Sequence, residues 1–246
     1  MVRNLLKTVL PGAALSWYRR IREARFANKV DKVFADKEPK FIFSAIYNNH
    51  WWGEGDGYFS GHGSRDPKYV IPYVESVGGF LSDLPESPSV VDLGCGDFCV
   101  GSQLTSFAST YTACDVVGEL VESLKQKYDT SNLRFLSLDI TTDPLPPGDV
   151  GILRQVLQHL SNEQISAVIA KVNIYRYLIV AEYLPIGQFE PNVDQPCGAH
   201  SRIARGINSG IVLTCPPFGL RVLSERVISD VQDETGVLRT IAYRLQ

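Results

Sequence analysis

Residues 89–104 read SVVDLGCGDFCVGSQL. The apolar run Ser89–Leu93 has the length and residue types of a buried strand. A glycine turn follows, and the segment Gly101–Phe107 reads as the start of a helix. Strand, glycine turn and helix in that order usually bind a phosphate, but two phosphate-binding patterns fail here. A dinucleotide fingerprint needs a third glycine three positions after the second, and Cys99 stands there. A phosphate loop needs Lys and then Ser or Thr after its last glycine, whereas Gly101 is followed by Ser102 and Gln103. What remains is acid-x-Gly-x-Gly, formed by Asp92, Gly94 and Gly96. An acid at that point repels a phosphate and suits a ligand carrying an ammonium or sulfonium group. The glycines let the backbone approach that ligand closely. A carboxylate ending a buried strand is costly unless it is paired.

The neighbouring sequence repeats the alternation. Thr110–Cys114, Leu133–Leu138, Val150–Leu153 and Tyr177–Glu182 read as strands, with a helix over Gly118–Tyr128. The SNEQ stretch at 161–164 is a capping box opening a helix to about Val172. Upstream, helices are expected over 13–34, 39–47 and 69–83, and the glycine-rich residues 51–67 must be a loop. Residues 184–219 read as irregular. Arg226–Val231 and Val237–Arg244 flank QDETG and read as a hairpin. Strands alternating with helices imply an α/β fold with a parallel sheet and right-handed crossovers, here closed by an antiparallel hairpin edge.

The 246 residues, 44% hydrophobic and 21% charged, suit one full-sized soluble domain with an appendage. No apolar run is long enough to span a bilayer. The opening MVRNLLKTVLPGAALSWYRR, broken by Lys7 and Pro11, reads as a poor signal peptide. The five cysteines, odd in number, read as reduced thiols, and the Cys95–Cys99 pair lacks the second pair a zinc site needs. The net charge of −3 hides an asymmetry. Residues 1–40 hold ten Lys and Arg against four acids, so this arm carries a net +6 and the body a net −9. The body has no basic–aromatic stripe, which argues against nucleic acid. The arm places RRIREAR, residues 19–25, beside Leu5, Leu6, Val9, Leu10, Trp17 and Tyr18, a composition suited to an anionic membrane face. The expected location is cytoplasmic, peripheral on the inner membrane face.

VVDLGCGD, residues 90–97, resembles motif I of the class I S-adenosylmethionine-dependent methyltransferases, and the resemblance runs from about Tyr47 to Arg244. It implies a Rossmann-like, mostly parallel seven-stranded sheet with helices on both faces, and S-adenosylmethionine as cofactor. In that family an acid ending the second strand accepts the ribose hydroxyls. Asp115 holds that place, with Val116 beside it. SLDIT, residues 137–141, resembles the third strand end, where Asp139 and Ile140 flank adenine. DVGILRQVLQHLS, residues 149–161, resembles the fourth-strand segment. It puts Arg154 and Gln155 under the methionine portion and His159 further on. LIVAEY, residues 178–183, resembles the fifth strand. The division implied is a basic helical arm, 1–40, and a methyltransferase domain, 41–246. That domain carries a lid loop, 51–66, and a substrate-side insertion, 184–219. In the lid, Ser60, Gly61 and Ser64 offer backbone donors and hydroxyls to a carboxylate. YNNHWWGEGDGYFSGHGS, LGCGDF, LRQVLQHLS and INSGIVLTCPPF together resemble a bacterial group associated with glycan or polysaccharide biosynthesis.

The transferred methyl is already activated, so alignment of the acceptor matters most. A hydroxyl acceptor must also lose a proton, and a neutral histidine can take it. His159 is the first candidate base, His62 the second, and Glu182, ending the fifth strand, a third. No carboxylate–carboxylate–Asn set for a metal is seen. The acceptor is expected to be a small molecule or glycan hydroxyl. Nitrogen methylation and a non-catalytic, membrane-docked cofactor-binding subunit are the alternatives, and the sequence leaves the oligomeric state open.

Overall fold

The computed structural model describes residues 33–34, 36–54 and 57–246. Most of the basic arm, 1–40, and nearly all of the helix expected over 13–34 lie outside them. Seven strands form one sheet in the order β3-β2-β1-β4-β5-β7-β6. They are β1 (Ser89–Leu93), β2 (Thr110–Asp115), β3 (Leu133–Ser137), β4 (Val150–Arg154), β5 (Tyr177–Leu184), β6 (Ser224–Gln232) and β7 (Val237–Arg244). The first five are parallel, while β7 runs antiparallel to both β5 and β6. This is the Rossmann-like sheet with an antiparallel hairpin edge.

Four α-helices occur among the described residues: α1 (Pro39–Asn48), α2 (Pro67–Ser82), α3 (Gly118–Lys127) and α4 (Asn162–Ile169). Alternation along the central strands sorts the core onto two faces. Val91, Leu93, Leu153, Leu178 and Val180 pack with Ile42 and Ile46 of α1 and Ile165 and Val168 of α4. Val90, Ile152, Ile179 and Ala181 pack with Val70, Val77 and Leu81 of α2 and Leu120, Val121 and Leu124 of α3. Each large aliphatic group so buried contributes about 1.5–3 kcal/mol relative to exposure. The period of two is what puts apolar residues on both faces and makes the strands read as continuous apolar runs.

Local chemistry sets the element ends. Asp66 caps α2 by accepting the Lys68 N–H at 2.9 Å, with Pro67 at the first helical position. The capping box of α4 forms as expected, Ser161 and Gln164 each accepting the other's backbone N–H. The helix ends at Ile169, and a separate 3-10 turn, Val172–Ile174, follows.

The expected helix from Gly101 to Phe107 does not form. Two 3-10 turns, Gly101–Gln103 and Thr105–Phe107, take its place. Ser102 Oγ donates to Cys99 O at 3.2 Å and Thr105 Oγ1 to Ser102 O at 3.0 Å. Such side-chain bonds to nearby carbonyls compete with a continuous helical ladder.

Candidate active site

The carboxyl ends of β1 to β4 open into one cavity of about 320 Å³, where ligands bind in parallel α/β sheets. Asp92 sits in the centre of the sheet, in register with Ala113 of β2 and Ile152 of β4. The side chain is buried and accepts the Tyr111 hydroxyl at 3.0 Å. Burial pushes its carboxyl up to about 7, against the opposing pull of the Tyr111 hydrogen bond and the Arg154 charge. Gly94 and Gly96 follow with φ of 87° and 56°, left-handed values that glycine adopts without strain. Space excludes a side chain as well: a Cβ on Gly94 would lie 2.6 Å from Val156 Cγ2, and one on Gly96 would run into Ser60 Oγ.

Asp115 ends β2 with both oxygens engaged. It accepts Gly96 N–H at 3.0 Å and Val117 N–H at 3.0 Å. The side chain thus shapes the glycine turn as well as facing the cavity. Two oxygens carry about four acceptor positions, so two remain for a ligand's hydroxyls. Burial raises the Asp115 carboxyl, and the backbone donors pull it back. Val116, Leu138, Asp139 and Ile140 complete the β2–β3 side of the cavity. Asp139 Oδ1 is held by the Thr141 N–H and hydroxyl at 2.8 and 2.6 Å.

On the other flank, Arg154 ends β4 and lies half-buried over the Tyr73 ring, 4.9 Å from its centroid. It donates to Gly63 O at 2.6 Å and Ser64 Oγ at 3.4 Å. Its Nε is buried and has no hydrogen-bond partner among the described residues. Gln155 has a left-handed φ of 55° and sends its side-chain amide against Gly63. Ser60, Gly61, Gly63 and Ser64 therefore lie across this part of the cavity.

His159 lines the β4 side beside Phe43, Trp52, His200 and Ser201. Its ring lies 5.1 Å from Trp52 and 6.5 Å from Phe43. Burial drives its pKa down to about 4 despite the bond to Gly198 O, so the ring is neutral at pH 7. The Nδ1 contact with Gly198 O, 3.1 Å, needs the proton on Nδ1. Nε2 then carries the lone pair, and the Gln158 amide approaches it at 3.3 Å.

Two candidates for the base move out of the site. Glu182 does not line the cavity. Its oxygens accept the N–H groups of Leu157 and Gln158 at 2.9 and 3.2 Å. It therefore holds the 3-10 turn Leu157–His159 in place from the adjacent β5, and burial raises its carboxyl to about 8. His62 is exposed, edge-on to Phe59 at 5.7 Å, and also lies outside the lining.

Two residues enter that the sequence did not single out. Tyr47, on α1, lines the cavity and pairs its hydroxyl with Ser60 Oγ at 2.8 Å. Asp97, buried next to Gly96, binds Arg65 at 2.9 Å. The DF pair after the second glycine and the Tyr before the tryptophans were visible, but only tertiary packing brings them together. Among the described residues no group of three or more His, Cys, Asp or Glu could hold a metal ion.

The cavity suits S-adenosylmethionine by its own features. It offers a bare glycine turn, a carboxylate with free acceptor positions, an apolar slot and a buried, unpartnered guanidinium nitrogen. Residues 91–178 match a family model described as methyltransferase domain. No curated protein matches significantly. Among solved structures, the chain is similar to the N-methyltransferase NodS from Bradyrhizobium japonicum WM9, in complex with S-adenosyl-L-homocysteine. Identity is 14%, covering 82% of this chain and 99% of that one, with a TM-score of 0.59. It is similar to magnesium protoporphyrin IX methyltransferase (ChlM) from Synechocystis PCC 6803 with bound S-adenosylhomocysteine, at 20% identity, 84% and 100% coverage and a TM-score of 0.53. Human N-acetylserotonin methyltransferase in complex with S-adenosylmethionine shares 18% identity over 92% of this chain and 66% of that one, with a TM-score of 0.52. At these identities the structures establish the fold, and their acceptors differ from one another. The matched segment begins within β1, just before the glycine turn, and runs through β2, β3 and β4, so the strands that line the cavity are those of a methyltransferase domain.

Proposed function

We propose that the acceptor is a hydroxyl of a small molecule, with a sugar unit as the first candidate. The observation that carries this reading is His159, neutral and cavity-lining, set beside the Trp52 and Phe43 rings. Bound S-adenosylmethionine supplies a methyl group activated on a sulfonium. Asp115 takes the ribose hydroxyls, Asp139 and Ile140 flank the adenine, and Arg154 with Gln155 receives the methionine end.

His159 Nε2 is the atom that accepts the hydroxyl proton. The Nδ1–H bond to Gly198 fixes the tautomer, and the long contact from Gln158 yields to a better donor. Groups acting on His159 besides Gly198 are all basic: His200, Arg205 and Arg202. That surrounding disfavours a cationic acceptor and admits a neutral one such as a hydroxyl. Trp52 is held by its indole N–H to Ala199 O at 3.0 Å, so its ring offers a fixed face for the C–H side of a sugar while Ser201 and His200 supply polar contacts. The glycan grouping noted in the sequence supports the same choice. The charge of residues 1–40 supports docking of the arm on an anionic membrane face, with the enzyme on the cytoplasmic side.

The test is transfer of labelled methyl to a panel of sugars, sugar nucleotides, phenols, amines and peptides. Label in hydroxyl compounds, lost in His159→Ala, supports the reading. Label confined to amines or peptides removes it.

A further inference from the structure

A single carboxylate pins residues 60–65 across the cavity. Asp97 Oδ2 accepts Ser60 N–H at 3.2 Å, Arg65 Nε–H at 3.2 Å and Arg65 Nη2–H at 2.9 Å. Oδ1 accepts Cys99 N–H at 3.2 Å. The Asp97 N–H returns a bond to Ser60 Oγ at 2.8 Å. The Asp97 side chain is 6% exposed and that of Arg65 is 47% exposed, so the pair closes from the outside. Cys99 Sγ adds a contact to Ser64 O at 2.8 Å.

The pinned segment lies over the glycine turn itself, because Ser60 occupies the space a Cβ on Gly96 would need. A ligand that uses the Gly94–Gly96 backbone must therefore share this space with Ser60 or move it. Two glycines with left-handed φ, Gly57 at 81° and Gly61 at 91°, sit in and before the segment. A Cβ on Gly57 would meet nothing within 4 Å among the described residues, so packing by those residues does not hold the chain at that point. The far end is anchored where Asp66 caps α2.

We propose that Asp97 is the latch of a lid formed by residues 57–65, and that exchange of the methyl donor for its spent product requires the Asp97–Arg65 pair to release. This rests on the cofactor occupying the cavity. Asp97 and Arg65 are positioning residues here. Arg65 lies outside the cavity lining, which makes it the cleaner residue to change.

The experiment is stopped-flow binding of S-adenosylhomocysteine to the full-length protein, read by tryptophan fluorescence, in wild type, Arg65→Ala, Arg65→Gln and Arg65→Lys. Loss of one half-exposed ion pair should raise both the association and the dissociation rate roughly fivefold, with Kd within about twofold of wild type by the same balance of rates. Arg65→Lys should restore much of the slow exchange. Unchanged rates in Arg65→Ala and Arg65→Gln would overturn the latch. So would a faster dissociation alone, with Kd weakened in step, since that marks a binding contact. A wild-type protein that binds no S-adenosylhomocysteine would remove the cofactor assignment and the latch together.

Discussion

The Asp115 carboxylate accepts the backbone N–H of Gly96, 19 residues earlier in the chain, at 3.0 Å. One side chain thus holds the turn while lining the cavity. Asp115→Ala should weaken S-adenosylhomocysteine binding by about 1.5–3 kcal/mol, the range for bonds to a charged group. Isothermal calorimetry checks this, with circular dichroism to confirm the fold. Unchanged affinity in a folded variant would exclude Asp115 from the cofactor site.

The buried Asp92 predicts a pH dependence of known sign. Its folded-state pKa, about 7, is raised mainly by burial. Between the ordinary carboxylate pKa and 7 the folded protein keeps a proton that the unfolded chain has lost. The stability this group contributes is therefore complete at acid pH and falls as pH rises through 7. The sulfonium and ammonium of S-adenosylmethionine favour the ionised form, so its affinity should rise as pH climbs from about 6 to about 7, by at most about tenfold per unit. Asp92→Asn should flatten both trends in thermal melts and in calorimetry.

For His159 the expected profile is flat. With its pKa held near 4, its protonation contributes no limb to the rate between pH 5.5 and 8. His159→Ala should lower turnover by about 10²–10⁴-fold, the usual contribution of a positioned base. Cofactor affinity should stay near wild type. His62→Ala, at an exposed position outside the cavity, should retain full turnover. A wild-type rate in His159→Ala would return the base to another group.

Glu182→Ala strips two buried N–H groups, Leu157 and Gln158, of their acceptor. Each such loss costs about 1–3 kcal/mol, so denaturant melts should show a clear drop. Turnover should fall too, because His159 belongs to the same 3-10 turn. Glu182→Gln, which keeps one amide oxygen, should recover part of both. Turnover loss without any loss of stability would instead argue for direct chemistry by Glu182.

Residues 1–34 set the membrane prediction. The intact protein should co-sediment with anionic vesicles at low salt and release as salt rises. A chain starting near Asp36 should remain soluble, bind S-adenosylhomocysteine and ignore the vesicles. Intact protein that stays in the supernatant at low salt would leave the arm without a lipid role.

The central sheet was legible because Ser89–Leu93, Val150–Leu153 and their neighbours are short apolar runs bounded by turns. Motif spacing then carried Asp92, Gly94, Gly96 and Asp115 to the right strand ends. Direction was harder to read. Glu182 stands at the expected edge, yet its side chain turns to two N–H groups beside it. His62 sits in the expected loop and faces solvent. Asp97 was not singled out, because its partners Ser60 and Arg65 are 37 and 32 residues away. The 101–107 segment misled because Ser102 and Thr105 have hydroxyls that bond to local carbonyls.

Trp52 and Ala199, joined across 147 residues by the indole N–H, belong to neither a strand nor a helix. The cofactor's wall is built on strand ends, where one altered side chain disturbs the sheet. The wall proposed for the acceptor is closed by a stitch between two connecting segments. Substrate choice can therefore drift through changes in those segments while the methyl-donor half stays intact. A screen for altered acceptors would do best to randomise residues around Phe43, Trp52 and 199–204 and to leave the sheet untouched.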